Sequence, residues 1–186
     1  SLTFCVYISF PIILWILVAA ESIVRLFFTE KWLESIPYLR LFCIIGLTYP
    51  ISVISLNVMV AKGRSGQFLK LEIIKKMIYI VALVSTFYYG IFAMLIGQVI
   101  ASIPSLILNL YYPGKLIGYK LKTQLIDISP YIILSVLMAG LAYCSGFIFT
   151  DNLLRLITIT FVAFSSYLLF SMLFRLSAYT ELIQVI

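Results

Sequence analysis

The chain has 186 residues, 63% of them apolar and 11% charged, and its mean hydropathy is +1.15. Soluble domains are about half apolar and a quarter charged, so composition excludes a water-soluble fold and leaves a helical membrane protein. The formal net charge of +6 sits at the ends of apolar runs, where it acts as a topology signal. No basic stripe lines one face, and this removes nucleic acid as a partner.

A helix needs about 20 apolar residues to cross the hydrocarbon core. The first such run covers residues 2–20. It has neither a basic leader nor a small-residue cleavage site, so it reads as a span and not as a signal peptide. The chain opens on Ser1, already inside an apolar run, and this suggests the C-terminal piece of a longer protein. Residues 21–34 hold Glu21, Glu30 and Glu34 against Arg25 and Lys31, an acidic balance that predicts the outer side. Within 27–37, Phe27, Phe28 and Trp32 beside Glu30, Lys31 and Glu34 predict a short amphipathic helix in an interfacial aromatic belt.

The second span covers 41–61, flanked by Arg40 and Lys62. Pro50 lies in its middle, deprives the Gly46 carbonyl of its donor and predicts a bend. Residues 62–76 carry Lys62, Arg64, Lys70, Lys75 and Lys76 against Glu72 alone, which predicts a cytoplasmic segment. It begins with a Lys-Gly-Arg-Ser-Gly turn and continues as a helix entering the membrane, with Lys75 and Lys76 snorkelling.

Residues 77–114 are uncharged throughout. At 1.5 Å per residue such a run is nearly two membrane thicknesses long, so it predicts a hairpin with arms 71–89 and 91–112 and a turn at Tyr88-Tyr89-Gly90. Residues 115–127 hold Lys115, Lys120 and Lys122 against Asp127 and predict a second inner loop. The last spans are 128–150 and 154–174, joined by an outer link. Six spans then alternate strictly, with both chain ends cytoplasmic, in one all-α transmembrane lobe.

Chemistry-bearing groups are sparse. There is no His, and Cys5, Cys43 and Cys144 are far apart within apolar runs, without metal or redox spacing. No carboxylate lies inside a span, no phosphate-binding loop is present, and no cofactor or metal is expected. An enzyme is therefore disfavoured. The polar residues that remain lie on helix faces. Gln98, Ser102, Ser105 and Asn109 recur at i, i+4, i+7 and i+11 on one face of the fourth span, where Ala93, Gly97, Ala101 and Ser105 also form a small-residue ridge. The stripe reads either as tight helix packing with interhelical hydrogen bonds or as the wall of a water-filled cavity. In the second span Thr48, Ser52 and Ser55 share a face, and Asn57 follows Pro50 by two turns. Arg40 reads either as a headgroup anchor or as a cation for a phosphate at the outer mouth of a cavity. Arg40, Asn57, Gln98, Ser102 and Asn109 are the candidate substrate contacts.

Two stretches carry a resemblance. Leu26 to Trp32 with Pro37-Tyr38-Leu39-Arg40-Leu41, and Ala61-Lys62-Gly63-Arg64-Ser65-Gly66-Gln67-Phe68-Leu69-Lys70-Leu71-Glu72, resemble the C-terminal half of bacterial lipopolysaccharide-biosynthesis flippases. That family lies within the superfamily that also holds the multidrug and toxin extruders. The resemblance is specific only over residues 32–72. It implies an N-terminal lobe as intramolecular partner, a central cavity between two lobes, and export of undecaprenyl-pyrophosphate-linked oligosaccharide across the cytoplasmic membrane. The alternatives are a membrane enzyme of polysaccharide assembly and an accessory membrane subunit. A polymerase would carry a large charged outer loop and an acyltransferase a His in a polar site. Neither feature is present.

Overall fold

The computed structural model describes residues 2–28 and 30–174, and it is helical along almost all of them. Seven α-helices follow in order: α1 (Leu2–Phe27), α2 (Ile36–Gly46), α3 (Thr48–Ala61), α4 (Ser65–Thr86), α5 (Ile91–Ile117), α6 (Leu121–Ser145) and α7 (Asn152–Leu173). Short 3-10 helices, Glu30–Ser35 and Phe87–Tyr89, precede α2 and α5. No strand occurs among the described residues.

Among the described residues five stretches are long and apolar enough to span a membrane: α1, residues 30–61, α5, α6 and α7. The sixth expected span falls in α4, whose 22 residues are sufficient in length. Its first three turns, however, carry Lys70, Glu72, Lys75 and Lys76, so its uncharged part is only the second half. Lys75 does not snorkel freely. It is 7% exposed and ion-paired with Glu72 one turn away, whereas Lys76 is exposed.

The breaks have local causes. The expected span 41–61 is two helices, because the chain leaves helical register at Leu47, three residues before Pro50. There Thr48 Oγ1 donates to the Ile45 carbonyl at 2.8 Å, taking up a carbonyl at the end of α2. Helix α3 ends on Gly63, whose φ of 67° is the left-handed conformation that favours glycine. The Arg64 amide reaches back to the Met59 carbonyl at 3.0 Å, closing a Schellman motif. The long uncharged run breaks at Gly90, whose φ is 88°. Gly118 (φ 72°) closes α5 in the same manner as Gly63, with the Tyr119 amide on the Gly114 carbonyl at 2.9 Å.

The chain divides into two compact units. One holds residues 44–127, the other residues 3–43 together with those from 128 onward. In the first unit α5 is the central helix and packs on both α3 and α4. Gly97 on the small-residue ridge lies against α4. A Cβ there would stand 2.9 Å from Thr86 Cγ2, closer than packed atoms come, and a tight 3.2 Å from the Ala82 carbonyl oxygen.

In the second unit α1 is tied to α6 and α7. Pro11 has no N–H for the Tyr7 carbonyl. The Tyr167 hydroxyl of α7 donates to that carbonyl instead, at 2.6 Å. The Tyr7 ring meets Tyr131 of α6 edge-on, with centroids 6.0 Å apart. Nearer the other end of α1, Trp15 Nε1 donates to Thr160 Oγ1 at 3.1 Å.

Large apolar side chains stand exposed along every helix, among them Val81, Val84, Ile100, Ile133, Phe161 and Leu169. A monomer in water rarely exposes contiguous apolar patches beyond a few hundred Å². A lipid-facing surface of Ile, Leu, Val and Phe is the normal condition in a bilayer.

Candidate functional site

The polar stripe of α5 is where the sequence concentrates hydrogen-bonding groups at membrane depth. Ser102, Ser105 and Asn109 are each at most 3% exposed, and Gln98 is half-buried. The two serines return their protons to their own helix, Ser102 Oγ to the Val99 carbonyl at 2.7 Å and Ser105 Oγ to the Ala101 carbonyl at 2.8 Å. Asn109 reaches across instead. Its Nδ2 donates to Ser52 Oγ of α3 at 2.7 Å, and Ser52 Oγ passes its own proton to the Thr48 carbonyl at 2.8 Å. Asn109 Oδ1 is buried and has no partner among the described residues. The stripe is thus a helix clamp at Asn109, self-satisfied at the serines, and open only around Gln98.

The other candidates lie on other helices. Asn57 is exposed on α3, two residues before the buried Met59. Arg40 is half-buried in the second turn of α2 and makes no salt bridge among the described residues. Arg40 belongs to the second unit and the other four candidates to the first. Ahead of α2, Phe28 and Trp32 contact each other with centroids 6.3 Å apart, and the 3-10 helix Glu30–Ser35 buries no residue. This suits an interfacial aromatic belt.

Three features were not read from the sequence. First, α1 continues to Phe27, so residues 21–27 are its last turns and not a loop. Glu21 in those turns accepts from Arg25 Nε at 3.1 Å and lies 3.5 Å from Arg155 of α7. Arg155 is in the first turn of α7, which is capped by Asp151 accepting from the Leu154 amide at 3.2 Å. The Glu21/Arg25 spacing at the end of an apolar run signals the i,i+4 pair, but nothing local points to Arg155. Second, Gln124 of α6 folds its amide back under α5, donating to the Leu110 carbonyl at 3.1 Å and the Tyr119 carbonyl at 2.7 Å. Third, the hydroxyl of Tyr119, in the link between α5 and α6, donates to Asp127 in the second turn of α6. Burial, with the hydrogen bond and charge of Asp127, pushes that phenol up to about 12.

Among the described residues no three His, Cys, Asp or Glu side chains gather as a metal site would need. The architecture is that of a multi-pass α-helical membrane protein, and the polar stripe of α5 holds only neutral hydrogen-bond donors and acceptors.

Comparison with known proteins agrees with this class. The chain is 30% identical over 107 residues to an uncharacterized membrane protein in the cps region of Klebsiella pneumoniae, a match over 57% of this chain and 22% of that protein. It is 34% identical over 77 residues to the lipopolysaccharide biosynthesis protein WzxC of Escherichia coli K12, over 41% of this chain and 16% of WzxC. The chain therefore spans about a fifth of the length of these relatives. No family profile matches it, and no solved structure does. With five membrane-spanning stretches and these relatives, the chain is a multi-pass protein of the bacterial inner membrane.

Proposed function

We propose that this chain is one lobe of a flippase that moves undecaprenyl-pyrophosphate-linked oligosaccharide from the inner to the outer leaflet for surface polysaccharide synthesis. The observation that carries the reading is the similarity to a cps-region membrane protein and to a lipopolysaccharide biosynthesis protein, in an all-helical chain without an acid–base or metal cluster among its described residues. A sugar chain is large and hydrated and needs a wet path, while its lipid tail can stay in the bilayer. Neutral hydrogen-bonding groups suit such a path, because they accept varied sugars where fixed charges would hold them.

In this reading residues 62–76 face the cytoplasm, both chain ends face inward, and an N-terminal lobe of the same protein completes the cavity. The lobes rock against each other in alternating access, with helix breaks such as that at Leu47 absorbing the motion. Gln98 and Asn57 meet the sugar. Arg40 meets the pyrophosphate near the outer mouth through charge-assisted hydrogen bonds. Ser102 and Asn109 hold the stripe in place from behind, with the unpartnered Asn109 Oδ1 as its one spare acceptor.

The test is made in the full-length protein at matched abundance. Arg40→Ala should lower surface polysaccharide about tenfold or more, a hydrogen bond to a charged group being worth about 1.5–3 kcal/mol, and Gln98→Leu several-fold, a neutral one being worth about 0.5–1.5 kcal/mol. Normal export in both variants would remove these residues from the path.

A further inference from the structure

The N-terminal end of α4 and the C-terminal end of α5 enclose a second feature, beyond the end of the polar stripe. A cleft of about 530 Å³ opens between them, with Lys70 on one wall and Lys115 and Tyr112 on the other. Its floor is apolar, formed by Leu71, Ile74 and Leu116. Lys70 and Lys115 are both exposed, and neither forms a salt bridge among the described residues. Glu72, the nearest acid in sequence, is taken up by Lys75. The cleft therefore carries two uncompensated positive charges above an apolar base.

What adjoins it narrows the occupant. Ile74 is shared with a shallow apolar depression that runs on along α4 through Met77, Ile78 and Val81. Met77 and Val81 are 56% and 64% exposed, in the half of α4 that carries no charge. A pair of ammonium groups at one end and a lipid-facing groove at the other match an amphiphile with a phosphate head and an acyl chain. An inorganic anion would use only the first part. Basic pockets between membrane helices are suited to such heads, and lysine serves phosphate as a point charge.

We propose that this cleft binds an anionic phospholipid of the leaflet that residues 62–76 face, with the phosphate between Lys70 and Lys115 and one acyl chain along Ile74, Met77 and Val81. Lys115 is seventeen residues beyond Gln98 on the same helix, about 25 Å along the axis, and six residues, about 9 Å, beyond Asn109 at the end of the stripe. The lipid site is thus distant from the Gln98 assigned to the exported sugar, and it stands whether or not that assignment does. The bound lipid tethers the N-terminal end of α4, the helix whose first half is too charged to enter hydrocarbon unaided.

Native mass spectrometry of the purified full-length protein tests the proposal, with phosphatidylglycerol and phosphatidylcholine of equal chain length as probes. Phosphatidylglycerol should be retained in preference. Lys70→Gln and Lys115→Gln should each weaken it about fivefold, and the pair about 25-fold. Lys62→Gln, which changes the same loop outside the cleft, should leave binding within twofold. Ile74→Ser with Met77→Ser should weaken long-chain phosphatidylglycerol more than a short-chain form. Equal retention of the two lipids, or a double lysine variant that binds as the wild type does, would overturn the proposal. So would an equal loss in Lys62→Gln, displacement by millimolar inorganic phosphate, or preference for a polyprenyl pyrophosphate over phosphatidylglycerol.

Discussion

Asn109 illustrates how a polar residue at membrane depth acquires a role. On the sequence it is the last member of a helical stripe, open to two readings. In the structure its amide grips Ser52 of α3 at 2.7 Å. Interhelical hydrogen bonds in membranes average about 0.6 kcal/mol, with a maximum near 1.7, whereas a buried group left without a partner costs about 1–3 kcal/mol. Ser52→Ala should therefore destabilise the full-length protein by roughly 1–2 kcal/mol, because it strands the Asn109 amide. Ser52→Ala combined with Asn109→Leu should recover most of that loss. Thermal unfolding in detergent, run as a double-mutant cycle, measures the coupling, and additive losses would show that the contact carries nothing. The stripe itself was legible from spacing alone. The partner was not, since it lies 57 positions away. Tyr167 on the Tyr7 carbonyl is the same case at a separation of 160. Pro11 announces a freed acceptor, but no local pattern says which side chain will come to it.

At the scale of elements, turn chemistry marked the breaks at Gly63 and Gly90, whereas the break at Leu47 was expected only as a bend at Pro50. Gly63, Gly90 and Gly118 all adopt positive φ where a helix ends or begins. The differences arise where a charge sits inside a helix. The expected first span ends at residue 20, where the acidic stretch 21–34 begins, yet α1 continues to Phe27 with Arg25 and Arg155 beside Glu21. Helix α4 is a full-length helix whose first half is charged, so helix length and apolar length separate there. The small-residue ridge on α5 was legible as a packing surface, and at Gly97 it meets α4. Gly97→Leu should push α4 and α5 apart, since even a Cβ would stand 2.9 Å from Thr86. A loss of about 2 kcal/mol or more is expected, in the range of overpacked cores, visible as reduced folded yield. Gly140→Ala on α6 meets nothing within 4 Å and should be tolerated. Equal yields for the two variants would contradict the packing described for α5.

At the scale of the whole molecule, the account joins a membrane topology to an export function. The topology rests on charge bias, and its sharpest claim concerns the most basic loop. In a cysteine-free background, Ser65→Cys should resist an impermeant thiol reagent added to intact cells and react once the membrane is opened. Labelling from outside would invert the orientation of every span. The proposed export reading was legible only through resemblance, because movement of a varied, hydrated substrate leaves no catalytic signature in a sequence. The claim is most directly tested by depleting the full-length protein and following its substrate. Lipid-linked repeat units should still be assembled, and should accumulate where a glycan-cleaving enzyme supplied from the periplasmic side cannot reach them. Repeat units that fail to form, or that remain accessible from the periplasm at normal levels, would contradict the assignment as an exporter.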